Sequence, residues 1–363
     1  MNSRERVLKT IAHKQPDRPP IFATLTPQIA KKLSEYLKLP YEAPLDSLLS
    51  TRISHMNLLT KLGNDCVGIA ACSPDDMPTR LESDGTIINE WGMVFKESGL
   101  YNEFYSFPLA HADTAEDISS YPFPDPFAPG RFREAEKTVH TFKESHAIVA
   151  DLECAIFETA WYLTGLEKLL MDLLLQPPYL NPLLDKIAGI NTEIGKQLIS
   201  LGADIIWCGD DFGSQQGMMM SPEIWREHFK PRMKKMFDQF RAVNPQIKIA
   251  WHTCGSILPI IPDLIEIGLD ILNPLQPLAS GMDPTFLKDT YGDKLVFFGG
   301  IDVQNLLPNG TPDRVREEVK RVATIYGKNG GYLAAPAHNI QADTPIENIM
   351  TMYDTLMNLT EIK

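Results

Sequence analysis

The strongest constraint on this chain is a repeated alternation of two patterns. Short runs rich in Ile, Val, Ala and aromatic residues fall at 20–23, 66–70, 147–152, 205–208, 247–251, 270–273, 295–299 and 332–335, with longer stretches between them. Runs this short and this apolar suit strands covered on both faces. The intervening stretches carry apolar residues three or four apart, as in Ile257, Ile260, Ile261, Leu264 and Ile265. Eight strand–helix alternations over 363 residues predict an α/β chain, and a closed (β/α)8 TIM barrel accommodates them better than an open sheet.

Several helix starts are written locally. Thr344-Pro345-Ile346-Glu347 reads as an N-cap, a proline at the first helical position and a capping-box glutamate. Ser221-Pro222 and Thr311-Pro312 open helices in the same way. Such starts place the residues before them in loops after strands, on the barrel rim where chemistry is done. Before about residue 145 the pattern is looser. Ile87-Ile88 and Trp91, after the turn Ser83-Asp84-Gly85, suggest a hairpin, and the proline-rich stretch 108–131 suggests a long excursion. The expectation is one domain over 1–363, a barrel with an N-terminal extension and loop insertions; a separate N-terminal domain is the alternative.

Charge narrows the class of partner. A net charge of −13, from 34 basic and 47 acidic side chains, argues against nucleic acid, whose binding depends on Lys and Arg clusters. No apolar run approaches the roughly 18 residues that cross a bilayer. The densest, Leu169-Leu170-Met171-Asp172-Leu173-Leu174-Leu175, is broken by a carboxylate and is expected to be a buried helix. Arg4, Glu5 and Arg6 near the start, with no apolar signal core, predict no export. Cys66, Cys72, Cys154, Cys208 and Cys254 are scattered without CxxC spacing, which favours a reducing cytoplasm over a disulfide scaffold.

Four strand ends carry residues capable of chemistry. In Trp251-His252-Thr253-Cys254-Gly255 the imidazole and thiol are two positions apart, so an extended backbone turns both to one side. That is half of a zinc site, or a buried cysteine beside a hydrogen-bonded histidine. His338, in Ala335-Pro336-Ala337-His338-Asn339, follows the last strand and is within reach of the same ion, or else bonds a loop carbonyl. Asp210 and Asp211 are adjacent acids at a strand end: one should enter the mouth, to orient a ligand or take a proton, and the other should bond its loop. Asn273 and Gln276 offer amides for substrate binding or for loop closure. Glu158, beginning an apolar helix with Trp161 and Tyr162, reads as core rather than ligand, and Met218-Met219-Met220 reads as packing rather than a lid.

Together these residues resemble the uroporphyrinogen decarboxylase superfamily. The likeness rests on Arg4-Glu5-Arg6-Val7-Leu8, Gln15-Pro16-Asp17-Arg18-Pro19-Pro20, Asp210-Asp211-Phe212-Gly213, Ser221-Pro222-Glu223 through Phe229-Lys230-Pro231, His252-Thr253-Cys254-Gly255 and Gly299-Gly300-Ile301-Asp302. It implies a TIM barrel and leaves two branches open. The decarboxylases hold a tetrapyrrole's carboxylates with an Arg-Gln-Ala-Gly-Arg stretch after the first strand, and here Ala23-Thr24-Leu25-Thr26-Pro27-Gln28 stands instead, without arginine. The other branch is similar to zinc methyltransferases that exchange a methyl group with a corrinoid (cobalamin) cofactor carried by a partner protein. In that branch a His-x-Cys pair and a later cysteine bind Zn2+. His252 and Cys254 match the pair, His338 stands where the cysteine would fall, and Gln276 aligns with a glutamate near the metal. The resemblance therefore implies zinc on His252, Cys254 and His338, with Asp210 or Asp211 in support. No Asp-x-His-x-x-Gly corrinoid motif is present, so the corrinoid would come on its own protein. Uroporphyrinogen decarboxylase or a related carboxy-lyase is the alternative activity, and a non-catalytic barrel that only binds a corrinoid or tetrapyrrole is a third reading.

Overall fold

Strands form where the apolar runs end at glycine, proline or a polar turn. The computed structural model describes residues 1–45, 52–98 and 101–360. Its strands are β1 (Cys66–Ala70), β2 (Arg80–Leu81), β3 (Ile87–Ile88), β4 (Val94–Ser98), β5 (Tyr101–Ser106), β6 (Ala147–Cys154), β7 (Ile205–Gly209), β8 (Lys248–His252), β9 (Ile271–Asn273), β10 (Val296–Ile301) and β11 (Tyr332–Pro336). Seven of them build a parallel sheet in the order β1-β6-β7-β8-β9-β10-β11, so each helical crossover sets the next strand beside the last.

Alternation along the strands separates two apolar layers. Cys66, Val149, Trp207, Ala250, Ile271, Val296 and Leu333, from all seven strands, pack into one inner cluster with Val7 and Ile11. A sheet whose first and last strands share an inner cluster must curl. Neighbouring positions such as Ile148, Ile206, Ile249 and Leu272 face the helices instead. Helix Ser3–Ile11 supplies Val7 and Ile11 from below the sheet.

The expected first strand, 20–23, is the exception: it makes isolated bridges rather than a ladder. Ile21 pairs in parallel with Ala334, and the Phe22 amide donates to the Ala334 carbonyl at 3.1 Å. On its other side, toward β1, side chains replace much of the main-chain pairing. Asp65 accepts from the Ile21 amide at 2.8 Å, and the Asn64 amide group brackets Ala23 through bonds of 3.2 and 2.8 Å. Pro19 and Pro20 have no N–H to give, which limits this segment as a strand. The N-terminal motif residues serve this junction. Arg6 and Arg18 both reach Asp65, at 2.7 and 2.8 Å, and Arg6 also binds Asp17 at 2.6 Å.

The looser region forms a second sheet, antiparallel, in the order β2-β3-β4-β5. Phe104 on β5 stacks on Tyr162, with ring centroids 4.2 Å apart, which seats this sheet on the helix that follows β6. Ser221 and Thr311 cap their helices as expected, each accepting from an amide three residues on at 3.3 Å. Thr344 does not: helix Ile346–Met357 begins from Pro345, with no side-chain cap. The leucine-rich run also departs from expectation. In helix Leu166–Leu175, Leu169 and Leu173 are buried while Met171, Leu174 and Leu175 are exposed, so the helix is amphipathic in placement, not in composition. Met220 is buried and the Met219 amide pairs with the Phe212 carbonyl, which fits packing.

Candidate metal centre

The pleat of β8 puts Ala250 and His252 on the inner side, while Trp251 turns outward against Phe212 and Phe237. His252 lies in register with Gly209 on one side and Asn273 on the other. A Cβ on Gly209 would sit 2.8 Å from that of His252, so the glycine makes room for the imidazole. Beyond His252 the chain turns back through Gly255, whose φ of +78° and whose virtual Cβ, 2.4 Å from the Ser214 carbonyl oxygen, exclude any other residue without strain.

This turn brings sulfur and nitrogen together. Cys254 Sγ lies 3.3 Å from His252 Nε2. Asp211 Oδ1 lies 3.5 Å from the same nitrogen and accepts the Cys254 amide at 2.7 Å. The donor atoms of Asp211, His252 and Cys254 all lie within 4.8 Å of one another. A borderline-soft cation such as zinc suits this N, S and O set.

The adjacent acid points elsewhere. Asp210 is fully buried and accepts the Ile156 amide at 3.0 Å and the Glu158 amide at 2.8 Å, so it caps the start of helix Phe157–Thr164. Burial pushes its carboxyl up to about 7, against the opposing pull of those amides. Asn273 holds the far nitrogen of His252, Nδ1, at 2.6 Å. Gln276 is turned to the loops: its Oε1 accepts from the Gly255 amide at 3.0 Å and from Gln215 at 2.6 Å.

His338 stands across the mouth, its ring centroid 6.2 Å from that of His252. Both imidazoles are held neutral. Burial, then the Arg52 charge, lowers His252 to about 3; burial, His252 and Arg52 lower His338 to about 4. Neutral imidazole is the ligand form. The Cys254 thiol is pushed well above its usual range by burial and by Asp211 and Glu158, so ionising it calls for a cation.

Two further residues complete the surroundings, Arg52, which sequence reasoning passed over, and Glu158, which it read as core. Arg52 lies with its guanidinium 3.6 Å over the Trp207 ring and ion-pairs with Asp151 at 3.3 Å and with Glu153. It arrives on a turn that lies against β1: a Cβ on Gly68 would be 2.3 Å from the Arg52 carbonyl oxygen. A glycine inside an apolar strand was the available signal of that close approach. Glu158 is the other, accepting the Asp211 amide at 3.1 Å and the Tyr162 hydroxyl at 2.9 Å. His252, His338, Arg52, Trp207, Phe22 and Phe298 line a cavity open to solvent at its entrance.

A curled parallel sheet carries, at the carboxyl ends of its strands, a His, Cys and Asp cluster whose donor atoms are close enough to hold a cation, an α/β arrangement. The family model for uroporphyrinogen decarboxylase (URO-D) matches residues 107–359, and the chain belongs to that family. Among curated relatives, the methylated-thiol–coenzyme M methyltransferase of Methanosarcina mazei is 23% identical over 201 residues, 55% of this chain and 50% of that protein. The uroporphyrinogen decarboxylase of Psychromonas ingrahamii is 25% identical over 189 residues, 51% of this chain and 50% of the relative. The methylcobamide:CoM methyltransferase of Methanosarcina acetivorans is 25% identical over 179 residues, 48% of each chain. These matches span about half the length of each relative. A solved methyltransferase structure from Methanosarcina mazei superposes over 99% of this chain and 100% of its own, with TM-score 0.72 and 18% identity, a likeness of fold. No helix among the described residues is long and apolar enough to cross a membrane.

Proposed function

We propose that this protein is a zinc-dependent methyltransferase that moves a methyl group between a small substrate and a corrinoid cofactor on a partner protein. One observation carries the reading: Cys254 Sγ and His252 Nε2 lie 3.3 Å apart with Asp211 beside them, at the mouth of the curled sheet. His252 and Cys254 are two ligands of the ion, and a third comes from the same mouth, where His338 and Asp211 both face the pair. A zinc ion bound there supplies Lewis acidity, polarising a substrate oxygen or keeping a thiolate nucleophilic near neutral pH.

The chain's own residues do the rest. Asn273 fixes the His252 ring, Asp210 and Gln276 hold the loops that carry Asp211 and Cys254, and Phe22, Phe298 and Trp207 exclude water from the bound molecule. The segment 20–25 takes the place of an eighth stave and closes a TIM barrel around them. The corrinoid protein approaches the open mouth, and the cytoplasm is the compartment that fits cysteines scattered without CxxC spacing.

One feature weighs against porphyrinogen decarboxylation: the segment after the first stave has no arginine to pair with several carboxylates. The test is zinc content by atomic emission, with demethylation of free methylcobalamin by 2-mercaptoethanol read in the visible spectrum. One zinc per chain and zinc-dependent demethylation are expected, both lost when His252, Cys254 and His338 are all alanine. Full zinc occupancy in that triple variant ends the proposal. Formation of coproporphyrinogen from uroporphyrinogen would assign the lyase instead.

A further inference from the structure

We infer that Asp211, not His338, is the third protein ligand of the metal, and that Glu158 is the positioning residue that holds it. The inference rests on the zinc reading above and sharpens it.

Distances separate the two candidates. With bonds of about 2.0–2.3 Å at tetrahedral angles, donor atoms on one zinc lie roughly 3.3–3.6 Å apart. His252 Nε2 is 3.3 Å from Cys254 Sγ and 3.5 Å from Asp211 Oδ1, so two edges of such a polyhedron already stand at these lengths, and the donor atoms of Cys254 and Asp211 lie within 4.8 Å of each other. Two imidazoles on one zinc place their ring centroids about 5 Å apart by the same bond lengths. The His252 and His338 rings are at 6.2 Å, about 1 Å too far. His338 lines the mouth cavity, as His252 does, but stands outside the Asp211, His252 and Cys254 cluster.

Asp211 is set in this position from two directions. Its Oδ1 accepts the Cys254 amide at 2.7 Å, tying the carboxylate to the turn that carries the thiol. Its own amide donates to Glu158 Oε2 at 3.1 Å, while Glu158 Oε1 accepts the Tyr162 hydroxyl at 2.9 Å. The lock is reciprocal, since the Glu158 amide donates to Asp210 at 2.8 Å. Each of two adjacent chain segments therefore uses a carboxylate to hold the other's main chain. Both Glu158 oxygens are engaged, while burial and the nearby Asp211, Asp210 and Glu153 raise its pKa well above the usual carboxyl range. Engaged as it is, Glu158 fixes where the Asp211 backbone, and hence its side chain, can stand.

The test is Co2+ and Zn2+ affinity by competitive chelator titration, with the Co2+ absorption spectrum as a readout of ligand geometry. H338A should bind within about 3-fold of wild type, and D211A should bind at least about 100-fold more weakly. E158A should lose about 10- to 100-fold and change the thiolate-to-Co2+ band, whereas E158Q, which keeps an acceptor for the Asp211 amide and a group for Tyr162, should retain both. Y162F leaves the core filled and should lose several-fold, which covers the case of an unfolded E158A. Metal loss in H338A with retention in D211A overturns the ligand assignment. Unchanged affinity and spectrum in both E158A and Y162F overturn the role of Glu158. A wild-type chain that takes up no metal refutes the zinc reading itself.

Discussion

Asn273 holds His252 in a single tautomer. The Asn273 Nδ2 group donates to the Phe298 carbonyl at 3.0 Å, which fixes the amide so that Oδ1 faces His252 Nδ1 at 2.6 Å. The Trp207 indole N–H donates to the same oxygen at 3.3 Å. Nδ1 must therefore carry the hydrogen, and the Nε2 lone pair is left toward Cys254 and Asp211.

Replacing this partner should weaken the metal without unmaking the fold. Asn273→Leu removes the acceptor and is expected to cost about 10- to 100-fold in zinc affinity, while Asn273→Asp keeps an acceptor and should bind at least as tightly as wild type. Isothermal titration against a chelator of known affinity measures both. An Asn273→Leu protein with unaltered zinc affinity would falsify the tautomer argument.

The two adjacent aspartates should separate cleanly. Asp210→Ala strips a cap from the Ile156 and Glu158 amides and is expected to lower stability by about 1–2 kcal/mol. Asp211→Ala should weaken metal binding more than it weakens the metal-free fold. Urea unfolding of the apo forms, set beside their zinc affinities, tells them apart. Equal loss of both properties in both variants would contradict the division of labour.

Arg52 should be worth more to the fold than its place in an irregular turn suggests. Its partners Asp151 and Glu153 lie at the top of β6, where Glu153 adopts a φ of +42° beside a shift in strand register. Arg52→Met leaves Asp151 buried without that cation and is expected to cost about 3–5 kcal/mol. Gly68→Ala should be comparably harmful, because its Cβ would collide with the Arg52 main chain. Denaturant midpoints near wild type in both would show that the cluster is not structural.

What was legible in the sequence follows from range. His252 and Cys254 are two residues apart on one strand, so the pleat alone put them on one side. The seven sheet strands carry uniform apolar runs that need no partner to be recognised. The segment 20–23 looked equally strand-like, yet its pairing is set by Asn64 and Asp65 side chains from another part of the chain. Glu158 resembled the start of a core helix because its function lies in a bond to Asp211, 53 residues on. Thr344 offered a cap pattern that a one-residue change in helix start bypassed. Exposure of Leu174 and Leu175 was hidden because composition cannot say which face of a leucine-rich helix is covered.

The two mouth imidazoles make the metal-free protein acid-sensitive, with a sign that can be worked out. Unfolded histidine takes a proton near pH 6.5, whereas His252 and His338 in the fold stay neutral down to about 3 and about 4. Between roughly pH 4 and 6.5 the unfolded chain thus binds more protons than the folded one. Stability then rises with pH, is fully present above about 6.5, and is lost as pH falls through this window. Each imidazole contributes a slope approaching about 1.4 kcal/mol per pH unit. Burial also lowers His13, His55, His146 and His228, so the comparison must be with variants rather than with a flat baseline. His252→Asn and His338→Gln should each flatten the apo unfolding curve between pH 4.5 and 6.5 and leave it unchanged in slope at pH 7–8. Zinc should steepen the wild-type dependence, because protons and the ion compete for the same nitrogen and sulfur. A His252→Asn protein that loses stability with acid as steeply as wild type would mean that the ring is already protonated in the fold, and a protonated ring could not be a ligand.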